Sequence, residues 1–278
     1  MLKKILFSSL FIVSYVFSGI LFWGEHSYML PFNLIVTFVI SFFIFKKSAN
    51  TKLDYFIINV PFFLLLIFTS IIGKDFSRLM TYIIFVPLSS LIGYWFIKDK
   101  NLLKVILSFF VILITSNLFN ANFFSYYHNK NAQKDVPFPK VSLTDSNKNK
   151  IILNKNKIIV LDFWSTNCSI CFKKFPDLED TFKKYQLNKN IEIYSLNVPL
   201  KNDDFQNTTK ILDSIGYSFP KLYAVSAKEI KDSLDIDSFP QLLIIKNGKI
   251  RFDGMLETNR NVRIYSIDSE IQRLIDEK

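Results

Sequence analysis

Long apolar runs dominate the first 124 residues, whereas the later residues alternate apolar and polar positions over short segments. Each run is about 17 to 19 residues long, close to the ~20 that a helix needs to cross the hydrocarbon layer of a membrane. Lys104, near the end of its run, is the only charged residue within them. We therefore expect about five transmembrane helices, at Ile5–Phe22, Met29–Phe45, Tyr55–Ile72, Leu79–Ile97 and Leu102–Phe119.

The apolar runs end near Phe124, and an ordinary charged sequence follows. This change predicts a multi-span transmembrane region over residues 1–124. Residues 125–135 are rich in Asn, Lys and aromatic side chains, which is typical of a tether, so we expect a linker there. Residues 136–278 form the expected soluble domain.

Basic residues between the runs predict the orientation. Cytoplasmic loops carry an excess of Lys and Arg, and here eight basic residues fall on one side against four on the other. With five spans, the N-terminus is expected in the cytoplasm and the soluble domain on the exported side. The eight are Lys3, Lys4, Lys46, Lys47, Lys52, Lys98, Lys100 and Lys104, and the four are Lys74, Arg78, Lys130 and Lys134.

The first run has an alternative interpretation as a cleaved signal peptide, because it follows Lys3 and Lys4. Its apolar part is longer than the usual 7–15 residues and no Ala-x-Ala site follows it. Cleavage would leave the soluble domain exported. Asn33 and Asn59, isolated within the runs, are expected to be helix-packing contacts.

The soluble half alternates strand and helix patterns. The run at Lys157–Trp164 is almost continuously β-branched and aromatic, as in a strand buried on both faces. Asn247-Gly248 joins two short strands, as in a tight hairpin turn. The pattern predicts an α/β fold with a mixed central sheet flanked by helices. Further strands are expected at Lys140–Leu143, Ile151–Leu153, Ile191–Val198, Leu222–Val225, Gln241–Lys246 and Lys249–Asp253, and helices at Ser169–Tyr185, Asp203–Ile215, Lys228–Leu234 and Asp268–Asp276.

The formal charge of +10 does not indicate a nucleic-acid partner. The residues after Phe124 include 24 basic and 20 acidic ones, which alternate along the chain. A nucleic-acid binder would gather basic residues on one face. The membrane half has neither an acidic residue nor a histidine inside its runs, which gives a transporter or proton relay little support.

The two cysteines of the chain lie in the tetrapeptide Cys168-Ser169-Ile170-Cys171. This spacing places both thiols at the first turn of the helix that follows the buried strand. A helix N-terminus favours negative charge, which makes the first thiol a nucleophile. The second lies within reach to resolve a mixed disulfide. The alternatives are a purely structural disulfide, two inert buried cysteines, or a zinc site, for which only His26 and His128 are at hand and neither has suitable spacing. We expect no cofactor and no metal.

Two motifs carry a family resemblance. The segment "VLDFWSTNCSIC" resembles the active-site strand and turn of thioredoxins, and "DSFPQLLIIKNGKIRFDG" resembles their cis-proline strand, hairpin and closing Gly254. The opening hairpin and the insertion around Asp203–Val225 look more like the TlpA/ResA-like branch. The resemblance covers about Val136 to Lys278 and implies a thioredoxin-like fold. The transmembrane region resembles no particular family.

The resemblance implies roles for individual residues. Cys168 corresponds to the attacking thiol, Cys171 to the resolving thiol and Pro240 to the cis-proline that faces the disulfide. Asp162 matches the buried acid that exchanges the proton of the resolving thiol. Trp164 is expected to pack beside the site. A solvent-facing strand acid remains the alternative for Asp162.

Three positions depart from the family pattern. Lys174 stands where TlpA/ResA-like proteins usually have Glu, and Asn167 precedes the first cysteine in place of Trp. Phe239, before the expected cis-proline, is bulkier than the usual Thr, Ile or Val. With Trp164, we assign Asn167 and Phe239 to the substrate groove, where Phe239 narrows the opening.

The expected activity is thiol-disulfide exchange on exported proteins, in the reducing direction, at a bacterial cytoplasmic membrane. Alternatives are a net disulfide-forming oxidase and a membrane redox-sensing or assembly module. No cysteine precedes Cys168, so the spans cannot carry electrons by thiol exchange. The expected partners are therefore disulfide-containing substrate proteins, a separate redox partner on the exported side, and membrane lipid.

Overall fold

The computed structural model describes residues 2–22, 25–47, 51–73, 76–99, 101–200, 203–255 and 262–277, without the side chains of 2–8, 51 and 73. Lys74 and Lys100, used for the predicted orientation, lie outside the described residues, as do the side chains of Lys3 and Lys4. The chain divides into two compact units, Met1–Phe124 and Ser125–Lys278.

The N-terminal unit is helical, as expected. Within the described residues, four helices are long and apolar enough to cross a membrane, over His26–Lys46, Lys52–Ile72, Leu79–Asp99 and Leu102–Asn129. The part of the first helix with described side chains, Ser9–Leu21, is apolar but shorter. The helices are α1 (Leu2–Leu21), α2 (His26–Lys46), α3 (Thr51–Gly73), α4 (Leu79–Asp99) and α5 (Leu102–Asn129).

Polar side chains inside this unit join neighbouring helices. Asn33 of α2 donates from Nδ2 to the Ser18 hydroxyl of α1 at 2.9 Å. Asn59 of α3 accepts a hydrogen bond from the Ser90 hydroxyl of α4 at 3.3 Å. Both asparagines are therefore helix-packing contacts, as predicted.

The C-terminal unit is built on one eight-stranded mixed sheet, in the order β1-β8-β7-β4-β5-β6-β2-β3. Strands β4, β5 and β6 run parallel, whereas β7 pairs with β4 in the antiparallel sense. The strands are β1 (Gln133–Pro137), β2 (Leu143–Thr144), β3 (Lys150–Ile151), β4 (Ile158–Trp164), β5 (Ile191–Asn197), β6 (Lys221–Ala224), β7 (Gln241–Lys246) and β8 (Lys249–Gly254).

Helices cover both faces of the sheet, so each face carries its own apolar core. Apolar side chains of α6, α7 and α9 pack on one face and those of α8 on the other. Side-chain oxygens of Asp204, Ser226 and Ser266 cap the N-termini of α7, α8 and α9. The helices are α6 (Ser169–Tyr185), α7 (Phe205–Ile215), α8 (Ala227–Leu234) and α9 (Ile267–Asp276).

Strand β4 lies at the centre and is buried along its whole length. Because side chains alternate between the faces of a strand, Ile159, Leu161 and Phe163 enter the core beneath α8. Val160 and Trp164 enter the opposite core, which α6 covers. Asp162, at the same parity, therefore points to the α6 side.

Residues 125–135 do not form the flexible linker that the sequence predicts. Helix α5 continues to Asn129, and β1 pairs with β8 from Gln133 onward. The segment is folded because the Asn129 side chain bonds to Met255 in both directions: its Nδ2 donates to the carbonyl oxygen, and its Oδ1 accepts from the amide at 2.8 Å. A Cβ at Gly254 would collide with Asn129 and Ala132, so only glycine fits there.

This clamp predicts that Asn129→Ala destabilises the C-terminal unit by about 1–3 kcal/mol, because the amide and carbonyl of Met255 lose their partner. The measurement is pulse proteolysis in urea on the full chain, with cleavage of the C-terminal unit as the readout. The matched control is Asn117→Ala on the same helix, whose amide donates to the Leu113 carbonyl of that helix. Equal urea midpoints for the two variants would contradict the clamp.

Candidate redox site

Helix α6 begins at the first cysteine. Cys168 is its N-cap residue, and the Cys171 amide donates to the Cys168 sulfur at 3.2 Å. The two cysteines form a disulfide with their Cα atoms 5.3 Å apart. The structure thus places both sulfurs at the positive end of the helix dipole, where a thiolate is stabilised after reduction.

The two sulfurs differ in access. Cys171 is fully buried, whereas Cys168 is half-buried and packs at the border of the core. Asn167 and Ile170 beside it are exposed. An incoming thiol or disulfide therefore reaches Cys168 first, and Cys171 is reached from within the domain.

Aromatic side chains support the buried side of the disulfide. Trp164 is fully buried and meets Phe172 and Phe175 edge to face, each with ring centroids 5.5 Å away. Phe239 is half-buried and packs against both cores. Trp164 is thus part of the wall behind the site, while Phe239 and Asn167 are the predicted groove residues that solvent reaches.

Pro240 is buried and follows a cis peptide bond from Phe239. Strand β7 begins at the next residue, Gln241, whose pairing partner on β4 is Phe163. Pro240 therefore lies at the edge of the sheet where β4 ends and the chain turns toward Cys168.

Asp162 is 6% exposed, and its Oδ2 has no hydrogen-bond partner among the described residues. Burial raises the pKa of this carboxyl group to about 7, while the positive charge of Lys174 acts in the opposite direction. Near neutral pH the group can therefore both take and release a proton. The alternative of a solvent-facing strand acid is wrong.

Sequence reasoning missed a cluster of polar side chains on the same face of the sheet. Ser195, Asn197 and Tyr223 are all buried, and each has a polar atom without a partner in the described residues. An unsatisfied buried polar atom costs about 1–3 kcal/mol, and a domain has only 5–15 kcal/mol of net stability. A signal was present, since Ser195 and Asn197 interrupt the apolar alternation begun by Ile191 and Ile193.

A second missed residue is Asp203, which joins two loops beside the site. Its Oδ1 accepts from the Thr166 hydroxyl at 2.7 Å, and its Oδ2 accepts from the Leu200 amide at 2.9 Å. Thr166 lies two residues before Cys168. The Asp203 side chain thus holds the turn that leads into α6.

Comparison with known proteins agrees with this geometry. A family model described as thioredoxin-like matches residues 156–250. The thiol-disulfide oxidoreductase ResA of Bacillus subtilis is 30% identical over 115 residues, which span 40% of this chain and 62% of that protein. ResA of Bacillus cereus is 28% identical over 157 residues, 55% of this chain and 86% of the relative.

Among solved structures, StoA from Bacillus subtilis is 19% identical with a TM-score of 0.38, and the match covers 43% of this chain and 92% of StoA. A thiol:disulfide interchange protein from Bacteroides sp. is 23% identical with a TM-score of 0.38, over 44% of this chain and 81% of that one. The sequence match and the strand–turn–helix geometry together identify the C-terminal unit as a thioredoxin-like domain whose named relatives are ResA thiol-disulfide oxidoreductases.

Proposed function

We propose that the protein is a membrane-anchored thiol-disulfide oxidoreductase that reduces disulfides in exported proteins. The observation that carries the proposal is the unequal access of two sulfurs at one helix N-terminus, with Cys168 half-buried and Cys171 fully buried. A purely structural disulfide has no need of this asymmetry. Thiol exchange does, since one sulfur meets the substrate and the other completes the reaction.

The reaction balances as two exchanges. The Cys168 thiolate attacks one sulfur of a substrate disulfide, forming a mixed disulfide and releasing a substrate thiolate. The Cys171 thiolate then attacks the Cys168 sulfur, forming the internal disulfide and releasing the second substrate thiolate. Overall the protein loses two electrons and the two thiol protons of Cys168 and Cys171, and the released substrate thiolates gain both electrons and take up two protons.

Asp162 is proposed to accept the proton of Cys171 before the second exchange. It lies beneath α6, on the face of β4 that packs with Cys171. A base works best when its pKa is close to the working pH, and burial brings the pKa of Asp162 to about 7. Pro240, at the adjacent sheet edge, is proposed to face the disulfide and contact the substrate.

The apolar helices are proposed to hold the domain at the exported side of a bacterial cytoplasmic membrane. This orientation rests on the lysine bias between the runs. The chain has only two cysteines, both in the C-terminal unit, so a separate dithiol protein on the exported side must restore Cys168 and Cys171 to thiols. Membrane lipid surrounds the helices.

The exchange mechanism predicts different outcomes for the two cysteines. Cys168→Ser should lower the reduction of insulin by the full chain to the uncatalysed background, because no sulfur remains accessible. Cys171→Ser should accumulate higher-mass adducts in the native membrane that disappear with reductant, because the mixed disulfide is no longer resolved. The measurement is non-reducing gel electrophoresis with mass spectrometry of the adducts.

The double variant Cys168→Ser/Cys171→Ser is the control and should form no adducts. The reductase proposal fails if Cys171→Ser forms none either while the wild-type protein stays fully oxidised in cells. A static disulfide would then be the better account.

The buried carboxyl group predicts a pH-dependent stability. An unfolded Asp has a pKa near 3.9, and folding raises the pKa of Asp162 to about 7. The stability associated with its protonated form is complete below about pH 4 and is lost as pH rises through 7. Asp162→Asn, which cannot ionise, should therefore exceed the wild type at pH 8 by up to ~4 kcal/mol, and the advantage should vanish toward pH 4.

The measurement is the urea midpoint of the C-terminal unit from pH 4 to pH 8. Asp145→Asn is the control, because folding lowers the pKa of Asp145 and its replacement should therefore change stability in the opposite direction at high pH. The side-chain hydrogen bond from Asn149 lowers the pKa of Asp145 on its exposed turn, so its replacement should weaken the fold at pH 8. Parallel pH profiles for wild type and Asp162→Asn would refute the assignment.

The orientation predicts that a periplasmic phosphatase fused after Lys278 is active, because the exported side is the only one where that enzyme matures. A cytoplasmic fluorescent reporter fused at the same residue should be dark. The reverse pair of results would place the domain inside the cell and exclude exported substrates.

A further inference from the structure

Five side chains on the α6-facing side of the sheet form what we name the buried polar patch: Asp162, Trp164, Ser195, Asn197 and Tyr223. Strand register places them in two adjacent rows. Asp162 pairs with Ser195 across β4 and β5, and Trp164 pairs with Asn197, which pairs in turn with Tyr223 across β5 and β6. Paired residues of parallel strands project to the same face, so each row is a line of neighbouring side chains.

Among the described residues of this domain, the patch holds nearly all the unsatisfied buried polar atoms. In the described residues of the C-terminal unit, six buried side-chain nitrogen or oxygen atoms lack a hydrogen bond, and five belong to the patch. The sixth, Nε of Arg251, lies elsewhere, 3.7 Å from an oxygen of Asp135. Buried polar groups are nearly always satisfied, so five unsatisfied atoms in two adjacent rows point to a shared partner. The five atoms are Asp162 Oδ2, Trp164 Nε1, Ser195 Oγ, Asn197 Nδ2 and Tyr223 Oη.

The spacing of the strands and the chemistry of these atoms fit water. Neighbouring strands lie about 4.8 Å apart, a separation that one water molecule bridges with two hydrogen bonds of about 2.8 Å. Trp164 Nε1 and Asn197 Nδ2 can only donate, Ser195 and Tyr223 hydroxyls donate or accept, and ionised Asp162 only accepts. A buried water needs two to four polar partners, and the patch offers five.

We propose that the buried polar patch binds internal water, and that Ser195 and Asn197 are positioning residues that direct this water toward the Asp162 carboxylate. Hydrogen bonds passed to the carboxylate favour its charged form, which is the form that accepts the proton of Cys171. This inference rests on the proposed proton transfer to Asp162. It adds a set of residues on β5 and β6 that never contact the substrate.

Asp162 also faces groups on α6, β5, β6 and β7. From α6, Lys174 stabilises the carboxylate, and Cys168 and Cys171 titrate only when reduced. From β7 its paired residue is the apolar Leu242, and from β5 it is Ser195. From β6, Tyr223 shares the patch, and burial raises the pKa of its hydroxyl to about 12, so it stays neutral in the range tested.

The decisive experiment is the single-turnover rate of mixed-disulfide resolution in the reduced full chain, measured from pH 5 to pH 9. In Ser195→Ala the midpoint of the rate profile, which the Asp162 carboxyl group determines, should rise by about half a pH unit. Resolution should then be roughly twofold slower near pH 7. Ser195→Thr keeps a hydroxyl and should restore the wild-type midpoint. Asp162→Asn/Ser195→Ala should match Asp162→Asn alone, because Ser195 acts only through the carboxyl group.

Coincident Ser195→Ala and wild-type profiles would overturn the positioning role. So would a shift that persists in the Asp162→Asn background. If Asp162→Asn itself leaves the profile unchanged, the proposed proton transfer fails, and the positioning role of Ser195 fails with it. Tyr223→Phe, which removes one hydroxyl from a close isostere, should shift the midpoint in the same direction by less than Ser195→Ala.

Hydration is tested without any variant. Radiolysis of the full chain by short X-ray pulses oxidises side chains that contact bound water, even when they are buried. Tyr223 should be oxidised, whereas Tyr82 of the N-terminal unit should be spared; the two are 2% and 0% exposed. Oxidation of Tyr223 no faster than that of Tyr82 would overturn the hydration of the patch, whatever the kinetic result.

Discussion

The carboxyl group of Asp162 is buried in the middle of the central strand, and its surroundings must offset the cost of burying a charge there. A charge taken from water into a protein core costs several kcal/mol unless it is paired or neutralised. Here the group has an elevated pKa and lies near the Lys174 charge. An apolar residue at this position would avoid the cost of burying a carboxyl group, so the carboxyl group is better explained by chemistry at the neighbouring disulfide than by stability.

The sheet topology brings the other parts of the site to that carboxyl group. The C-terminal ends of the parallel strands meet at one edge, and β4 there leads into the turn and helix that carry Cys168 and Cys171. Because β7 runs antiparallel to β4, its start lies at the same edge and places Pro240 there. Segments more than 70 residues apart in sequence thus converge, and Asp203 fixes the turn between β4 and α6.

The sequence predicted those parts of the structure in which local pattern and tertiary environment agree. Strand β4 is apolar on both faces because it is buried on both, and the Asn247-Gly248 turn has the left-handed backbone angles that these residues tolerate. Strand β1 was missed because it is an exposed edge strand, with polar residues that resemble a linker. Its place depends on the Asn129 clamp, a contact between residues 126 positions apart that no local pattern encodes.

The buried polar patch was missed for a related reason. Serine and asparagine in a strand normally indicate a solvent-facing position, and only the pairing of β5 between β4 and β6 shows that Ser195 and Asn197 are covered. The five residues come from three strands. They are brought together by the pairing register of the strands, and their spacing along the sequence does not reveal this. Sequence reasoning recovers a site that lies on one turn, such as the cysteine pair. It does not recover one that lies across a sheet, unless the strand order is known.

Lys174, which departs from the family pattern, is consistent with this electrostatic arrangement. A glutamate at position 174 would add a second carboxyl group beside Asp162, and two like charges would raise the pKa of one of them further. Lysine has the opposite effect, because its positive charge favours the carboxylate and partly offsets the cost of burial. With Asp162 retained at the centre of the sheet, a cation on α6 keeps the pKa close to neutrality, where one group can accept and release a proton. Asp162 and Lys174 are therefore best understood together, because the lysine charge offsets part of the effect of burial on the pKa of the carboxyl group.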